Sequence, residues 1–324
     1  MLYTELCQLL NIEYPIIQGG MAWAATGELA AAVSNAGGLG IIGAGSAPPQ
    51  VVRQEIIKAK KLTTKPFGVN IYYQSPYVNE VIEVLIAEKV PVVATGGGNP
   101  GKDIKRLKLS GAVVIPVVAS VALAKRLERS GADALIAEGM ECGGHTGDIT
   151  TMALVPQVVD AVNIPVVAAG GIADGRGLVA ALALGASGVQ MGTRFLCASE
   201  CIAHPNYKQA ICKAKDRDTV LTGPEGSKVR VIKNKLAQEF LSLEKSSSSR
   251  EEMERLGMGR LRAAVVDGDI EYGSLMAGQV SGMIKEVLPA ATIIANIIEE
   301  AETIIKRLQS LEQQVNSQIA RQVH

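Results

Sequence analysis

One loop of the sequence concentrates the side chains that could do chemistry: residues 138–147, which read EGMECGGHTG. His145 is one of only three histidines in the chain, and the glycines before it leave its ring uncovered. Near neutral pH an imidazole can donate a proton or polarise a carbonyl group. We therefore take His145 as the candidate catalytic residue. The alternative is a loop histidine that only faces solvent.

Cys142 lies three residues before His145 and raises the alternative of a cysteine–histidine nucleophile pair. Spacing alone does not bring the two side chains into contact, and cysteine is also a common small buried residue. We favour the buried cysteine. The sequence shows no metal-site pattern, because one loop histidine and scattered carboxylates are too few ligands.

Two glycine-rich motifs, AAGGIADG and QMGTRF, predict a phosphate site. Gly170, Gly171, Gly192 and Thr193 are small enough to leave several backbone N–H groups uncovered for a phosphate. The alternative is tight packing at strand ends. None of the strand-end motifs contains the lysine that a Schiff-base aldolase needs. A phosphate site beside one histidine suits a bound cofactor that carries the difficult chemical step.

These motifs follow short apolar runs that recur along the first 200 residues. Such continuous runs are typical of strands buried on both faces. Helical periodicity lies between them, at residues 28–35, 51–61, 78–89, 121–129, 154–162 and 178–184. The eightfold alternation predicts an α/β fold, a (β/α)8 TIM barrel; an open doubly wound sheet is the alternative. The eight runs begin at Tyr14, Gly38, Pro66, Val90, Ala112, Asp133, Ile164 and Gly188.

We assign residues 1–200 to the barrel, with a late eighth helix expected at 203–214. Residues 201–280, here called the lid segment, form a smaller lid-like domain that is polar and irregular over 216–260. Helices are expected at 260–266, 273–286 and 290–314, and residues 281–324 are expected to pack back on the barrel. Active sites of such barrels form at the C-terminal ends of the strands. The rim candidates there include Gly20, Met21, Ala22, Asn70, Gln190 and Met191.

The composition argues against nucleic-acid-binding and membrane-spanning proteins. The 32 basic residues balance the 32 acidic ones and aromatic residues make up 3%, which argues against nucleic-acid binding. Five cysteines without a CxxC pair, and no signal peptide, predict reduced thiols in the cytoplasm. No apolar run is long enough to predict a membrane span.

Several motifs together resemble one family. QGGMAW, GVNI, EGMECGGHTG, AAGGIADG, VQMGTRF and GSLMAGQ are similar to the flavoproteins that comprise nitronate monooxygenases and FabK-type enoyl-acyl carrier protein reductases. QGGMAW, AHPNYK and GSLMAGQ resemble the reductase branch. Nitronate monooxygenases more often carry Gln in place of Glu138, and the reductase branch usually carries Ala in place of Cys142.

The resemblance implies FMN bound in the barrel mouth. Asn70 and Glu138 would hydrogen-bond its ring or ribityl edge, and residues 274–279 would close over the ring. The loops after the last two strands would hold its phosphate end. The implied cofactor-binding residues are Gly20, Met21, Ala22, Asn70, Glu138, Gly143, Gly144, Gly170, Gly171, Gln190, Met191, Gly192, Thr193, Met276 and Gln279.

The resemblance further implies reduction of a trans-2-enoyl thioester on acyl carrier protein, with NADH or NADPH as co-substrate, by a homodimer. His145 would stabilise the thioester oxygen or donate the proton. Three alternatives stay open: a nitronate monooxygenase that uses O2, a non-redox phosphate-anchored isomerase, and a flavin-binding protein without catalysis.

Acyl carrier proteins are acidic, so a basic run in the lid segment is the expected docking site. The alternative is the solvated face of a helix. The run comprises Lys228, Arg230, Lys233 and Lys235.

Overall fold

The computed structural model describes residues 2–246 and 249–322, with side chains up to residue 311 in the last helix. Eight of its parallel strands close into a barrel in the order β1-β2-β3-β4-β5-β6-β8-β9, which confirms the predicted TIM barrel. The strands are β1 (Ile16–Gln18), β2 (Leu39–Gly45), β3 (Phe67–Tyr72), β4 (Val92–Gly96), β5 (Val113–Val118), β6 (Leu135–Glu138), β7 (Gly144–His145), β8 (Val166–Ala169), β9 (Gly188–Met191), β10 (Thr219–Thr222) and β11 (Val229–Ile232).

Between the barrel strands, the helices follow the predicted alternation with one addition at residues 101–109. That helix was missed because only Ile104 and Leu107 are buried in it, among lysines and one arginine. The helices are α1 (Glu5–Leu10), α2 (Gly27–Asn35), α3 (Pro49–Leu62), α4 (Val78–Ala87), α5 (Gly101–Leu109), α6 (Val121–Arg129), α7 (Thr151–Val159), α8 (Gly175–Ala183), α9 (Thr193–Leu196), α10 (Pro205–Lys213), α11 (Lys235–Lys245), α12 (Arg250–Gly257), α13 (Arg260–Arg262) and α14 (Ala290–Gln322).

The inside of the barrel is filled from its N-terminal end. Leu6 and Leu10 of α1 join one apolar cluster with alternate strand residues such as Ile41, Ile136 and Val167. Helix α1 reaches the start of β9, because Thr4 donates a hydrogen bond to the Ser187 carbonyl oxygen. One end of the barrel is therefore closed by apolar packing, and the C-terminal ends of the strands are left to bind a ligand.

The lid segment is more regular than predicted. Residues 216–260 form β10, β11, α11 and α12, so the expectation of irregular chain there is wrong. Strands of four residues are too short to show a period, and α11 and α12 begin where Asn234 and Ser249 accept backbone hydrogen bonds. Ser249, which lies in the stretch predicted to be irregular, thus begins a helix.

The predicted helix over 273–286 is also wrong. A 3₁₀ turn covers only Gln279–Met283, Met276 forms an isolated bridge with Val231, and the remaining residues have no regular secondary structure. In the stretch predicted as helical over 260–266, α13 continues into a π-helical turn at Ala263–Asp267. The late eighth helix is confirmed as α10, and the short α9 precedes it.

A small antiparallel sheet joins the lid segment to the barrel. Its order is β10-β11-β7, so a strand from the loop after β6 pairs with a strand of the lid segment. Helix α14 packs against α2 and α8, where Glu300 accepts a hydrogen bond from the Gly175 N–H. The division into 1–200, 201–280 and 281–324 stays a prediction, and its residues 1, 247–248 and 323–324 lie outside the described chain.

Candidate active site

The inward-facing residues of the barrel change from apolar to polar at the C-terminal strand ends. Strand side chains alternate between the two faces. Ile136 of β6 belongs to the inner apolar cluster, so Glu138, two residues later, also faces inward. The same alternation turns Asn70 of β3 and Gln190 of β9 inward, because their neighbours Val69 and Val189 pack in the outer cluster. Three predicted residues thus share one layer above the apolar plug.

Two glycines after β1 bring these polar groups together. A Cβ at Gly20 would overlap Asn70 Cβ, and one at Gly19 would lie 3.0 Å from the Gln190 side-chain carbon Cδ. Within the described chain, the amides of Asn70 and Gln190 have no hydrogen-bond partner in the protein. The barrel mouth therefore presents free amide groups beside the exposed backbone of Gly19 and Gly20, here called the floor.

The loops after β8 and β9 border this floor. Gly170 and Gly171 have φ of +85° and +74°, a conformation that favours glycine. A Cβ at Gly192 would meet only the Met21 side chain, with Sδ at 3.6 Å and Cγ at 3.9 Å, so open space adjoins that backbone. Thr193 is buried, and its hydroxyl already accepts a hydrogen bond from the Gly278 N–H at 2.9 Å.

Met191 was predicted to contact the cofactor at the rim of the barrel, and its side chain does not lie there. Its side chain is buried in the outer cluster between the strands and the helices, so it does not face the barrel mouth. Only the backbone of Met191 lies at the rim, where its carbonyl oxygen accepts a hydrogen bond from the Gly19 N–H.

The loop of residues 138–147 is held from several sides. Glu141 accepts hydrogen bonds from the backbone N–H and the hydroxyl of Thr151 at the start of α7. Arg230 of β11 donates two hydrogen bonds to the Met140 carbonyl oxygen, at 3.1 and 3.0 Å. A Cβ at Gly143 would lie 2.7 Å from the Ala277 backbone. The predicted close approach at Gly143 is therefore made to the protein chain itself.

His145 lies opposite Tyr72, the last residue of β3. Their ring centroids are 5.9 Å apart, with an angle of 33° between the planes. Part of the imidazole is exposed, yet the surrounding protein lowers the pKa of His145 by desolvation. The ring is therefore neutral near pH 7, with one N–H available as a donor. Tyr72 restricts where the ring can turn.

Glu138 and Cys142 are enclosed at the base of this loop. Burial raises the pKa of Glu138 to about 7, so its carboxyl group is partly protonated at neutral pH. Burial also raises the pKa of Cys142 strongly, and the nearby Glu138 carboxylate raises it further. Cys142 thus stays a thiol, and its sulfur lies 3.4 Å from the backbone oxygen of His145. This geometry does not support the cysteine nucleophile.

Residues 274–279, here called the closing segment, lie across the barrel mouth from the lid side. Met276 is partly buried, and its sulfur would lie 3.5 Å from a Cβ at Gly144. Tyr207, which is fully buried, donates a hydrogen bond of 2.7 Å to the Met276 carbonyl oxygen. The Gln279 N–H donates to the Glu141 carbonyl oxygen, while the Gln279 residue itself is exposed.

The predicted basic docking patch is wrong for Arg230. That residue is only 4% exposed, because it lies in β11 and points toward the loop of residues 138–147. Lys228 pairs with Glu244, and Lys235 with Glu271. The run is neither a free basic surface nor one face of a helix.

The buried position of Arg230 gives a testable prediction. Arg230→Met should lower the free energy of unfolding by about 1–3 kcal/mol, because the Met140 carbonyl oxygen loses both donors. Lys233→Met, on an exposed neighbour, is the control and should stay within about 0.5 kcal/mol. Denaturant titration of both variants measures the difference. Equal losses would contradict an anchoring role for Arg230.

Comparison with known proteins decides the family. A family model described as nitronate monooxygenase matches residues 3–83 and 76–300. The chain belongs to this family. FabK from Thermotoga maritima is 51% identical, with a TM-score of 0.94 over 96% of this chain and 100% of its own.

Other members of the nitronate monooxygenase family carry different names. A probable nitronate monooxygenase of Staphylococcus aureus is 37% identical over 94% of this chain and 98% of its own length. A nitroalkane oxidase from Streptomyces ansochromogenes is 32% identical, with a TM-score of 0.83 over 94% of this chain and 99% of its own. Both names describe oxidation–reduction enzymes.

The sequence analysis did not identify Tyr72 or Tyr207, and it assigned Arg230 to a docking surface and not to the support of the loop. Arg230 had a signal, since one arginine interrupts the apolar strand VRVI and an inward position needs a partner. Tyr72 also follows directly from the GVNI motif. Within the described residues, no group of three or more His, Cys, Asp or Glu side chains could hold a metal ion. No described helix is long and apolar enough to cross a membrane.

Proposed function

We propose that the protein is an FMN-dependent enoyl-acyl carrier protein reductase that uses NADH or NADPH. The observation that carries the proposal is the similarity to FabK, at 51% identity over 96% of this chain. Glu138, at the position where nitronate monooxygenases more often carry Gln, supports the same branch. We further propose a homodimer in the cytoplasm.

The barrel mouth fits FMN. The free amides of Asn70 and Gln190 would pair with polar atoms of the ring or the ribityl chain, beside the floor at Gly20 and Met21. The open backbone at Gly192 and the glycines 170 and 171 would hold the phosphate. When bound, FMN supplies the hydride-transfer chemistry.

His145 would act on the substrate. Reduction of an enoyl thioester develops negative charge on its oxygen, and a neutral imidazole can donate its N–H to that oxygen or supply the proton at the α-carbon. Tyr72 packs beside this ring, with the two ring centroids 5.9 Å apart. Met276 would lie near the substrate, and Tyr207 donates a hydrogen bond to its backbone oxygen.

The reaction assay under nitrogen tests the proposal. NADH or NADPH consumption should depend on added crotonyl thioester, and acyl product should form in equal amount. Consumption of a nitronate with O2, without reduction of the thioester, would overturn it. A protein without bound flavin would favour the isomerase, and a yellow protein inert to both assays would favour a non-catalytic flavin protein.

Nitronate oxidation stays the second candidate function. The family model and the 37% identical relative of Staphylococcus aureus bear that name. A neutral His145 could also serve as a base there.

Gly192 gives a prediction about the cofactor. Gly192→Val should weaken FMN binding by roughly 10- to 100-fold, because overpacking a formed site costs about 1–3 kcal/mol. The protein should still fold, since a Cβ at this position would meet only the Met21 side chain, at 3.6 Å or more. FMN released by heat from purified protein measures the loss. Gly257→Val, at the end of α12, is the control and should keep its FMN; equal FMN content in the two variants would remove the phosphate assignment.

We retain acyl carrier protein as the carrier of the substrate, with its contact elsewhere than Arg230. The Arg230 guanidinium group donates its hydrogen bonds to the Met140 carbonyl oxygen. Charge reversal at Arg230 would therefore test the fold of the loop and not the docking of a carrier.

A further inference from the structure

Two cysteines that the candidate site does not use lie in contact behind the loop after β9. Cys197 follows the short helix α9, and Cys212 lies in the last turn of α10. Their Sγ atoms are 3.9 Å apart, so one thiol can donate its hydrogen to the other sulfur. A disulfide bond joins its sulfurs at about 2 Å. The pair is therefore reduced here, and a small movement would bring the sulfurs to bonding distance.

The two thiols differ in their access to solvent. Cys197 is fully buried, and its sulfur also lies 3.8 Å from the Lys208 carbonyl oxygen. Cys212 is partly exposed. A small reagent from solvent can therefore reach Cys212, whereas Cys197 can react only with the sulfur already beside it. An accessible thiol next to a resolving thiol is the usual arrangement of a redox-active pair.

A buried cation lies beside this pair. Arg194 of α9 donates hydrogen bonds to the backbone oxygens of Cys197, at 3.4 Å, and of Glu286, at 2.8 Å. In the described chain, its Nε atom is buried without a hydrogen-bond partner. Burial and the charge of Cys212 raise the pKa of Cys197, and the Arg194 charge acts in the opposite direction. A nearby guanidinium group favours the thiolate, which is the form that attacks a disulfide.

The other three thiols lack this arrangement. Cys7, Cys142 and Cys201 are all buried. Thr4 donates a hydrogen bond to the Cys7 sulfur, and the thiols of Cys142 and Cys201 point toward the backbone oxygens of His145 and Ala24. These three cysteines are therefore matched controls for the pair.

We propose that Cys197 and Cys212 form a redox site that reacts with small disulfides such as oxidised glutathione. Cys212 Sγ loses its proton, attacks one sulfur of the small disulfide and forms a mixed disulfide, while one thiolate leaves. Cys197 Sγ then loses its proton, attacks the Cys212 sulfur and expels the second thiolate. The two protons go to the two leaving thiolates. The protein pair is oxidised to one disulfide, and the small disulfide is reduced to two thiols.

The new bond would affect the border of the barrel mouth. Helix α9 has only four residues and begins at Thr193, directly after Gly192. Drawing Cys197 toward Cys212 pulls on the end of this single turn, and a packed interior transmits such a shift. We expect the shift to reach Thr193, whose hydroxyl contacts the closing segment through the Gly278 N–H.

The effect on the cofactor rests on the proposed function. If Gly192 and Thr193 hold the FMN phosphate, the oxidised protein should bind FMN roughly 5- to 150-fold more weakly, the usual range of coupling between two sites. Titration of FMN into oxidised and reduced protein measures this. The bond itself is detected without NADH or a thioester, so failure of the reductase assay leaves its test intact. A bond that forms without any change in FMN affinity supports the redox site and overturns its link to the cofactor.

Incubation of the folded protein, as purified, with oxidised glutathione provides the test, read by mass spectrometry. Wild type should lose two of its five thiols and the mass of two hydrogen atoms. A digest without reductant should then contain Cys197 joined to Cys212. Cys197→Ala should instead retain one glutathione on Cys212, because no resolving thiol remains. Cys212→Ser should lose no thiol while folded, because Cys197 is out of reach of the reagent.

Cys201→Ser is the control, because it changes a buried thiol near the pair and should form the same bond as wild type. Two outcomes would overturn the redox site. One is a folded wild type that keeps all its thiols while the same protein in denaturant is oxidised, and the other is a bond that joins a different pair of cysteines. If Cys197→Ala does not fold, Cys197→Ser keeps the volume of the side chain and should trap the same glutathione on Cys212.

Discussion

His145→Ala should slow reoxidation of the reduced enzyme by enoyl thioester by roughly 10²–10⁴-fold, the usual effect of one acid–base group. Reduction by NADH should stay within about tenfold of normal, because it depends mainly on the proximity and orientation of two rings. In the proposed reductase, only the thioester step would develop charge on an oxygen that the imidazole could stabilise. Stopped-flow absorbance in the flavin band times the two half-reactions separately.

His204→Ala is the control for the histidine experiment. This residue accepts a hydrogen bond from the Asn206 N–H at the start of α10 and takes no part in the rim. It should leave the ratio of the two half-reactions unchanged. If both half-reactions fall together in His145→Ala, the ring shapes the pocket; if neither falls, the proton comes from another source and Glu138 is tested next.

Glu138→Gln should remove a pH-dependent loss of folding stability of roughly 3 kcal/mol. This free energy corresponds to a carboxyl pKa of 4.5 in the unfolded chain and about 7 in the folded protein. Below pH 4.5 the carboxyl group is protonated in both states, so stability is unaffected. Between 4.5 and about 7 the unfolded chain loses this proton while the folded protein keeps it. The stability of wild type therefore falls over this range and levels off above it, whereas glutamine does not titrate.

Denaturant unfolding of both proteins across this pH range gives the measurement, on protein stripped of bound ligand. The low-pH values are the internal control, since the difference between the two proteins should be constant there. A difference that stays constant across the whole range would show that Glu138 is not held protonated by burial. A difference of opposite sign would mean that the carboxylate, and not the acid, is stabilised by the fold.

The barrel could be predicted because its strands are buried on both faces. Runs such as those beginning at Ala112 and Ile164 are apolar without interruption, and each is followed by a helix of clear period. The lid segment could not be predicted in the same way. Its strands β10 and β11 are four residues long, and their pairing depends on β7, which is distant in sequence.

The site was predictable in part for a similar reason. His145 and the glycines after β8 and β9 stand in local motifs, whose residue types indicate their chemistry. Arg230 and Met140 are 90 residues apart, so no local pattern links them. The pKa of Glu138 likewise depends on enclosure by several strands and a loop, which the letters EGMEC do not reveal.

The small sheet has a consequence for protein engineering. Strand β7 comes from the barrel and β11 from the lid segment, and Arg230 joins the two a second time. A chimaera that combines the lid segment of one relative with the barrel of another would therefore pair strands from two different proteins. Moving the lid segment from one relative to another therefore requires moving residues 138–147 with it, because the two segments form one sheet.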